Sequence, residues 1–102
     1  MTLAFPKPPK PLRGTAACRR WMSLVAQLDC IGCGRSDVVL HHPIMGRHSQ
    51  TKTSDMDVLP VCPDCHDLIH NHRSVWLATH KPDHDYIPAT RKAVERLKAR
   101  TV

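Results

Sequence analysis

Apolar side chains recur every three or four positions over residues 16–28, which is the spacing of one face of an amphipathic helix. Trp21 and Val25 lie on that face, and Thr15 is placed to cap the helix at its N-terminus. Cys18 lies one turn before Trp21 and is expected to be a small buried side chain. The pattern therefore predicts a first helix with its apolar face toward a core.

A second pattern, apolar and β-branched, runs through residues 38–42 and ends at Pro43, as is typical of a strand. Residues 57–61 predict a second short strand. Pro60 places that strand at a sheet edge, because proline lacks the N–H that a central strand needs. The loop 44–54 separates the two strands, so the pattern predicts a hairpin.

Helical spacing returns after the hairpin. Residues 65–73 are predicted to form a helix whose apolar side lies against the two strands. The apolar residues 75–77 are expected to pack over the module. A last helix is predicted over residues 91–100, with Thr90 as its cap and a row of basic side chains outward.

Metal-capable side chains also occur in the loop 79–88, but their spacing matches no metal-site template. These side chains are His80, Asp83, His84 and Asp85. The loop is therefore predicted to be an ordinary solvated connection.

The N-terminal residues 1–14 are predicted to form a basic, proline-rich arm, and residues 15–102 a single domain. Four prolines between positions 5 and 14 remove backbone donors and fix φ, which favours extended polyproline-like backbone. Two interpretations stay open: the arm contacts phosphate through Lys7, Lys10 and Arg13, or it is a solvated tail.

The composition indicates a small basic protein whose apolar burial alone would give little stability. A chain of 102 residues with 4% aromatic residues buries little apolar surface, so a structural metal would add needed stability. The net charge is +6, which points to an anionic polymer as partner. A generic basic protein would explain this charge but not the cysteine spacing.

Five cysteines fit thiolate ligands in a reducing compartment better than a disulfide framework, since the number is odd. The protein is therefore expected in the cytoplasm. The sequence contains no apolar run of membrane-spanning length and no signal-peptide core at its N-terminus, so a membrane is not an expected partner.

Two Cys-x-x-Cys pairs predict a structural zinc site. Cys30 and Cys33 flank a tight glycine-containing turn, and Cys62 and Cys65 form the second pair. One such pair alone is weak evidence, whereas two together are a strong zinc signal. A redox dithiol would require a βαβ context that this pattern does not offer.

The histidines predict a second site. His66 and His70 are four residues apart and share one helix face, whereas Cys65 is turned by about 100° and serves a different ion. His41 and His42 are adjacent on a strand, so their side chains point to opposite faces. They are therefore not expected to bind one ion together, and each is predicted to have a different role. Satisfied core imidazoles, or a second zinc site without turnover, are the alternative.

The combination of Cys-Ile-Gly-Cys, His-His and Leu-Pro-Val-Cys-Pro-Asp-Cys-His-Asp-Leu-Ile-His resembles the HNH endonucleases, which have the ββα-metal fold. The similarity covers residues 28–73 and is closest to small phage-type members, such as the phage recombination-enhancement nucleases. It implies an α+β fold with flanking helices, hydrolysis of DNA phosphodiester bonds, and possible recombination proteins as partners. For a phage-encoded chain, the compartment would be the bacterial host cytoplasm.

The same resemblance implies roles for the histidines. His41 would be a ligand of one catalytic divalent ion, and His42 the general base that takes a proton from water. His66 stands where the family's last motif histidine binds the ion, and His70 matches an extra ligand seen where the helix carries His-x-x-x-His. The ions used in the family are Mg²⁺, Mn²⁺, Ni²⁺ and Zn²⁺.

The middle asparagine of the family motif corresponds to Asp57, which is expected to orient the ring of His42. Asp55 is the competing choice, because residues 52–55 resemble the Lys-x-x-Asp stretch of phage-type members. Candidates for gripping phosphate, chosen by their position near the predicted cleft, are Arg47, Lys52 and Arg73.

Two other functions are also compatible with the sequence. One is a noncatalytic zinc module that binds nucleic acid, for example an accessory to phage recombination. The other is a protein-interaction zinc finger of the RING or ribbon kind, which shares the paired cysteines but has no use for His41 and His42.

Overall fold

The computed structural model describes residues 13–45 and 53–100. Within these ranges the chain forms four α-helices, a two-stranded sheet and two 3-10 turns, which confirms the predicted small α+β class. No helix in these ranges is long and apolar enough to cross a membrane. The predictions for Lys7, Lys10, Arg47 and Lys52 lie outside the described residues.

Helix α1 spans Ala16–Val25 and begins as predicted. The Thr15 side chain accepts a hydrogen bond from the N–H of Cys18 at 3.1 Å, which satisfies one of the donors left free at a helix start. Cys18 and Val25 are fully buried, as their positions on the apolar face require. The helix ends before position 28 because the last turn tightens, with the N–H of Leu28 donating to the carbonyl of Val25 at 3.0 Å.

The hairpin consists of β1 (Val39–His41) and β2 (Leu59–Val61), which pair antiparallel. Pro60 lies opposite Leu40. The carbonyl of Pro60 accepts the N–H of Ile31 at 3.0 Å, so the first cysteine turn covers this side of β2. The second strand is shorter than predicted, because residues Asp55–Asp57 form a 3-10 turn instead of extended backbone.

Helix α2 spans Pro63–Asn71 and follows the hairpin directly. The next helix is α3 (Arg73–Thr79), which contains the apolar residues 75–77 that were predicted only as a packing cluster. Trp76 is fully buried, but Val75 and Leu77 are 55% and 43% exposed, so only one of the three residues packs over the module.

The stretch predicted as a solvated loop is partly ordered as a 3-10 turn, Asp83–Tyr86, that runs directly into α4 (Ile87–Arg100). The prediction that Thr90 caps the last helix is wrong. Thr90 lies buried within α4, and its hydroxyl donates to the carbonyl of Tyr86 at 2.9 Å. This bond to the carbonyl four residues earlier satisfies the hydroxyl without a cap.

Two apolar clusters hold these elements together. The first contains Val61, Ile69 and Trp76 with three of the cysteines, and joins β2 to α2 and α3. The second contains Val25, Val58 and Val94, and joins α1 to α4 beside the hairpin. These two clusters fix the hairpin against α2, and several side chains of the candidate site come from these elements.

Candidate functional site

Four cysteines converge at the junction of the first turn and α2. The sulfur atoms of Cys30, Cys33, Cys62 and Cys65 all lie within 4.8 Å of one another, and all five cysteines of the chain are free thiols. The Sγ atoms of Cys33 and Cys62 are 3.5 Å apart. Tetrahedral zinc with Zn–S bonds near 2.3 Å requires sulfurs about 3.8 Å apart, so the cluster fits a zinc ion.

The backbone around the cysteines is arranged to favour thiolates. The N–H of Gly32 points at the sulfur of Cys30 at 3.3 Å, and the N–H of Cys65 points at the sulfur of Cys62 at 3.4 Å. Cys62 is also the N-cap of α2, where the helix dipole favours negative charge. The local sequence thus supplies both donors and the partial positive charge that thiolate ligands need.

The thiols do not all ionise easily together. Burial raises the pKa of Cys30, but backbone N–H groups, that of Cys62 first, outweigh it and bring the pKa to about 7. Burial raises the pKa of Cys65, and contact with the neighbouring thiols raises it further. A divalent cation would remove this conflict, because coordination stabilises all four thiolates at once.

Trp76 closes over the first cysteine turn. Its indole N–H donates to the carbonyl of Lys81 at 2.8 Å, and its ring stacks on that of His80 with centroids 4.0 Å apart. His80 Nε2 lies 3.1 Å from the carbonyl of Gly32. A Cβ at Gly32 would lie 2.8 Å from the sulfur of Cys65 and 2.9 Å from the Trp76 ring, so only glycine fits there.

Gly32→Ala is therefore expected to destabilise the domain by about 1–3 kcal/mol, as overpacking in a closed core does, and to weaken zinc retention. Gly34→Ala is the matched control. Gly34 has φ +80° but nothing within 4 Å of an added Cβ, so only backbone strain of about 1 kcal/mol is expected. Thermal denaturation with zinc release measured by a chromogenic chelator ranks the two. Equal losses would contradict the close approach at Gly32.

Three histidines form a second cluster beside the first. One ring nitrogen from each of His41, His66 and His70 lies within 4.8 Å of the others. His41 is buried, His66 is half-buried and His70 is exposed, so the cluster opens to solvent on the side of His70. Burial lowers the pKa of His66, and the neighbouring imidazoles lower it further. The neutral form, which carries the lone pair a metal needs, is therefore favoured.

His41 is held in place by Asp83. Its Nε2 lies 2.7 Å from Oδ2 of Asp83, and both side chains are almost completely buried. Burial alone raises the pKa of Asp83. Hydrogen bonds from His41 and from the N–H groups of Ile44 and Met45 outweigh burial, so the net pKa lies below its ordinary value. Asp83 is thus an ionised carboxylate that can only accept, and the proton lies on His41 Nε2.

His42 points away from this cluster, as strand alternation predicts. Its Nε2 lies 2.7 Å from Oδ1 of Asp55, and one third of its side chain is exposed. The other oxygen of Asp55 accepts the N–H of Gly14 at 2.7 Å. The hydrogen bond from His42 lowers the pKa of Asp55, and that from Gly14 lowers it further. With Nε2 donating to this carboxylate, Nδ1 of His42 is left as a proton acceptor.

The prediction that Asp57 orients His42 is wrong. Asp57 instead forms an ion pair with Arg91 on α4, and Asp55 takes the place beside the imidazole. In an extended strand Asp55 and Asp57 would share a face, so spacing alone does not separate them. The 3-10 turn, with three residues per turn, points the two side chains in different directions.

Of the three cleft residues predicted to bind phosphate, Arg47 and Lys52 lie outside the described ranges, and Arg73 is the exposed first residue of α3. Its role stays a prediction. Arg13 lies near the end of the predicted arm, and its Nε donates to the carbonyl of Thr53 at 3.1 Å. This contact places its positive charge close to Asp55.

Sequence reasoning missed Asp83 and His80. Both come from the loop predicted to be solvated, and each contacts a residue about forty positions away or more, namely His41 and Gly32. Such pairings leave no local periodicity. The available signal was the density of His and Asp in that loop, which composition alone could not connect to a site.

The fold and the two clusters define a small α+β protein with a four-cysteine group that could hold a structural zinc ion. The chain belongs to the DUF968 family, described as a protein of unknown function, whose family model matches residues 2–93. No curated protein and no solved structure matches the chain significantly.

Proposed function

We propose that this protein is a metal-dependent DNA endonuclease of the HNH type. One observation carries the proposal: the adjacent histidines at the end of β1 lie in two different environments. His41 joins His66 and His70 in a cluster, whereas His42 is paired with the buried carboxylate of Asp55. Core packing does not require adjacent histidines with separate carboxylate partners, but hydrolysis requires a metal-binding group and a base.

The donor set of the cluster fits a divalent ion. Three imidazole nitrogens within 4.8 Å of one another are suited to Zn²⁺, Ni²⁺ or a related transition ion, and fewer imidazoles with water would admit Mg²⁺ or Mn²⁺. Such an ion would polarise the scissile phosphate and stabilise the departing 3′ oxygen. The exposed side of the cluster, at His70, leaves room for a phosphate to approach.

His42 provides the base in this account. Asp55 accepts the hydrogen bond from Nε2–H and fixes the ring, so Nδ1 takes a proton from the attacking water. Asp55 is itself fixed by the N–H of Gly14, just before the N-cap of α1. The base is therefore oriented by a segment outside the hairpin, and its ring does not need to reorganise during the reaction.

The remaining support comes from the element order and the charge. A hairpin followed directly by a helix, with the histidines on β1 and α2, is the arrangement expected of a ββα-metal domain. The net charge of +6 favours a nucleic acid over a neutral substrate. A role in phage recombination or DNA processing in the host cytoplasm is part of the proposal, on the basis of the sequence resemblance.

The test is cleavage of supercoiled plasmid by the zinc-loaded protein, with and without added Mg²⁺, Mn²⁺ or Ni²⁺. Metal-dependent nicks with 5′-phosphate and 3′-hydroxyl ends are expected. DNA binding is measured on the same preparation at low salt, where phosphate contacts are strongest. Binding without cleavage would instead indicate a noncatalytic nucleic-acid module. Absence of binding would indicate a protein-interaction zinc finger.

A further inference from the structure

Asp83 is a buried carboxylate that the proposed reaction does not itself use. Its side chain is completely buried, although it lies in a 3-10 turn of a segment that the sequence predicts to be solvated. Burying an ionised carboxylate is costly unless it is fully paired. Its partners therefore indicate what it is for.

Both oxygens of Asp83 are engaged by the chain around His41. Oδ2 accepts from Nε2 of His41 at 2.7 Å and from the N–H of Ile44 at 2.8 Å. Oδ1 accepts from the N–H of Met45 at 3.0 Å. The two backbone donors fix the plane of the carboxylate just beyond the end of β1, so the ring of His41 has one favourable orientation.

We propose that Asp83 is a positioning residue for the three-histidine cluster: it holds His41 as the Nε2–H tautomer and so presents Nδ1 to a nitrogen-preferring transition ion. This inference rests on the metal site in the proposed function and names the residue and the class of ion that the site uses. A histidine ligand that donates its other N–H to a carboxylate is both oriented and made more basic.

The class of ion follows from the donors. Three imidazoles with one carboxylate behind them form a nitrogen site with a single outer negative charge. Such a site favours Ni²⁺, Co²⁺ or Zn²⁺, whereas Mg²⁺ prefers direct oxygen ligands. The Ni²⁺ affinity of the site should therefore depend on Asp83.

A purely structural role is the competing explanation. Asp83 joins the segment before α4 to the end of β1, and this link alone could explain its burial. The two roles differ in a measurable way. A structural link affects unfolding but leaves metal affinity in the folded state unchanged, whereas a positioning residue changes the affinity directly.

The experiment titrates Ni²⁺ into the full chain, already loaded with one Zn²⁺, by isothermal calorimetry. Asp83→Asn keeps the shape but removes the negative charge behind His41, and its single carbonyl oxygen cannot replace both carboxylate oxygens as acceptors for His41, Ile44 and Met45. Ni²⁺ affinity is expected to fall about 10- to 100-fold. Asp85→Asn is the matched control, because Asp85 lies in the same turn, is 44% exposed and forms an ion pair with His84 outside the three-histidine cluster.

The outcomes separate the two proposals. Folded Asp83→Asn that binds Ni²⁺ as tightly as the parent overturns the positioning role and leaves the nuclease proposal standing. Weakened Ni²⁺ binding together with no plasmid nicking by the parent supports the role of Asp83 and overturns the nuclease. A zinc-loaded parent that binds no Ni²⁺ overturns the metal site and this inference with it.

A second measurement uses the parent alone, in case Asp83→Asn does not fold. Long-range ¹H–¹⁵N correlation of the histidine rings, recorded with two equivalents of Zn²⁺, reports which nitrogen of His41 carries the proton. Protonated Nε2 is the expected result. A proton on Nδ1 would overturn the inference, because the ring could not then bind the ion through that atom.

Discussion

Cys62→Ser is expected to unfold the domain. Zinc ligation contributes on the order of 10 kcal/mol to folding in small zinc modules, and a domain of this size has only about 5–15 kcal/mol of stability in total. Serine is a good N-cap, so this substitution preserves the cap of α2 and removes only the thiolate ligand. Circular dichroism and zinc content of the purified protein report the loss.

Cys18→Ala is the control for this prediction. Cys18 is also fully buried, but it lies on α1 and outside the four-cysteine cluster. Its replacement is expected to cost about 1 kcal/mol, typical of a single core change, and to leave the zinc content equal to that of the parent. Cys62→Ser that folds and melts like the parent would show that the cluster is not a structural zinc site.

His42→Ala is expected to lower the rate of metal-dependent cleavage by about 10²- to 10⁴-fold, the usual contribution of a positioned general base. His42 is one third exposed and lies outside the two apolar clusters, so folding and DNA affinity should be retained. Single-turnover cleavage of a labelled duplex at saturating protein measures the chemical step.

The partner of His42 provides a matched pair of variants. Asp55→Asn is expected to slow cleavage by about 10-fold or more, because it disturbs the tautomer and orientation of the ring. Asp57→Asn should leave the rate near that of the parent, since Asp57 pairs with Arg91. A larger effect at Asp57 than at Asp55 would contradict the assignment of the dyad.

Helices α1 and α2 and most of α4 could be predicted because their signals are local, whereas α3 was expected only as an apolar cluster. The cap at Thr15, the buried Cys18 and the helix after Cys62 all follow from spacing over a few residues. The paired cysteines carry a local signal as well, since each pair fits one turn around an ion. The opposite directions of the His41 and His42 side chains followed from strand alternation, which is also a local property.

The carboxylates could not be predicted, because their partners are distant in sequence. Asp83 meets His41 only when the segment before α4 folds back onto the end of β1. The choice between Asp55 and Asp57 depended on a 3-10 turn that the alternating pattern did not reveal. In both cases the deciding contact is tertiary, so the sequence could supply candidates but not their pairing.

The central claim is that the imidazole cluster carries the metal that cleaves DNA, and His66→Ala tests it most directly. The three rings form a triangle in which the centroid of His66 lies 5.2 Å from that of His41 and 4.4 Å from that of His70. Plasmid nicking should saturate with added Ni²⁺ or Mn²⁺ in the parent and be lost in a folded, zinc-loaded His66→Ala protein that still binds DNA. Nicking at the parental rate by that variant, or none by the parent, would contradict the account.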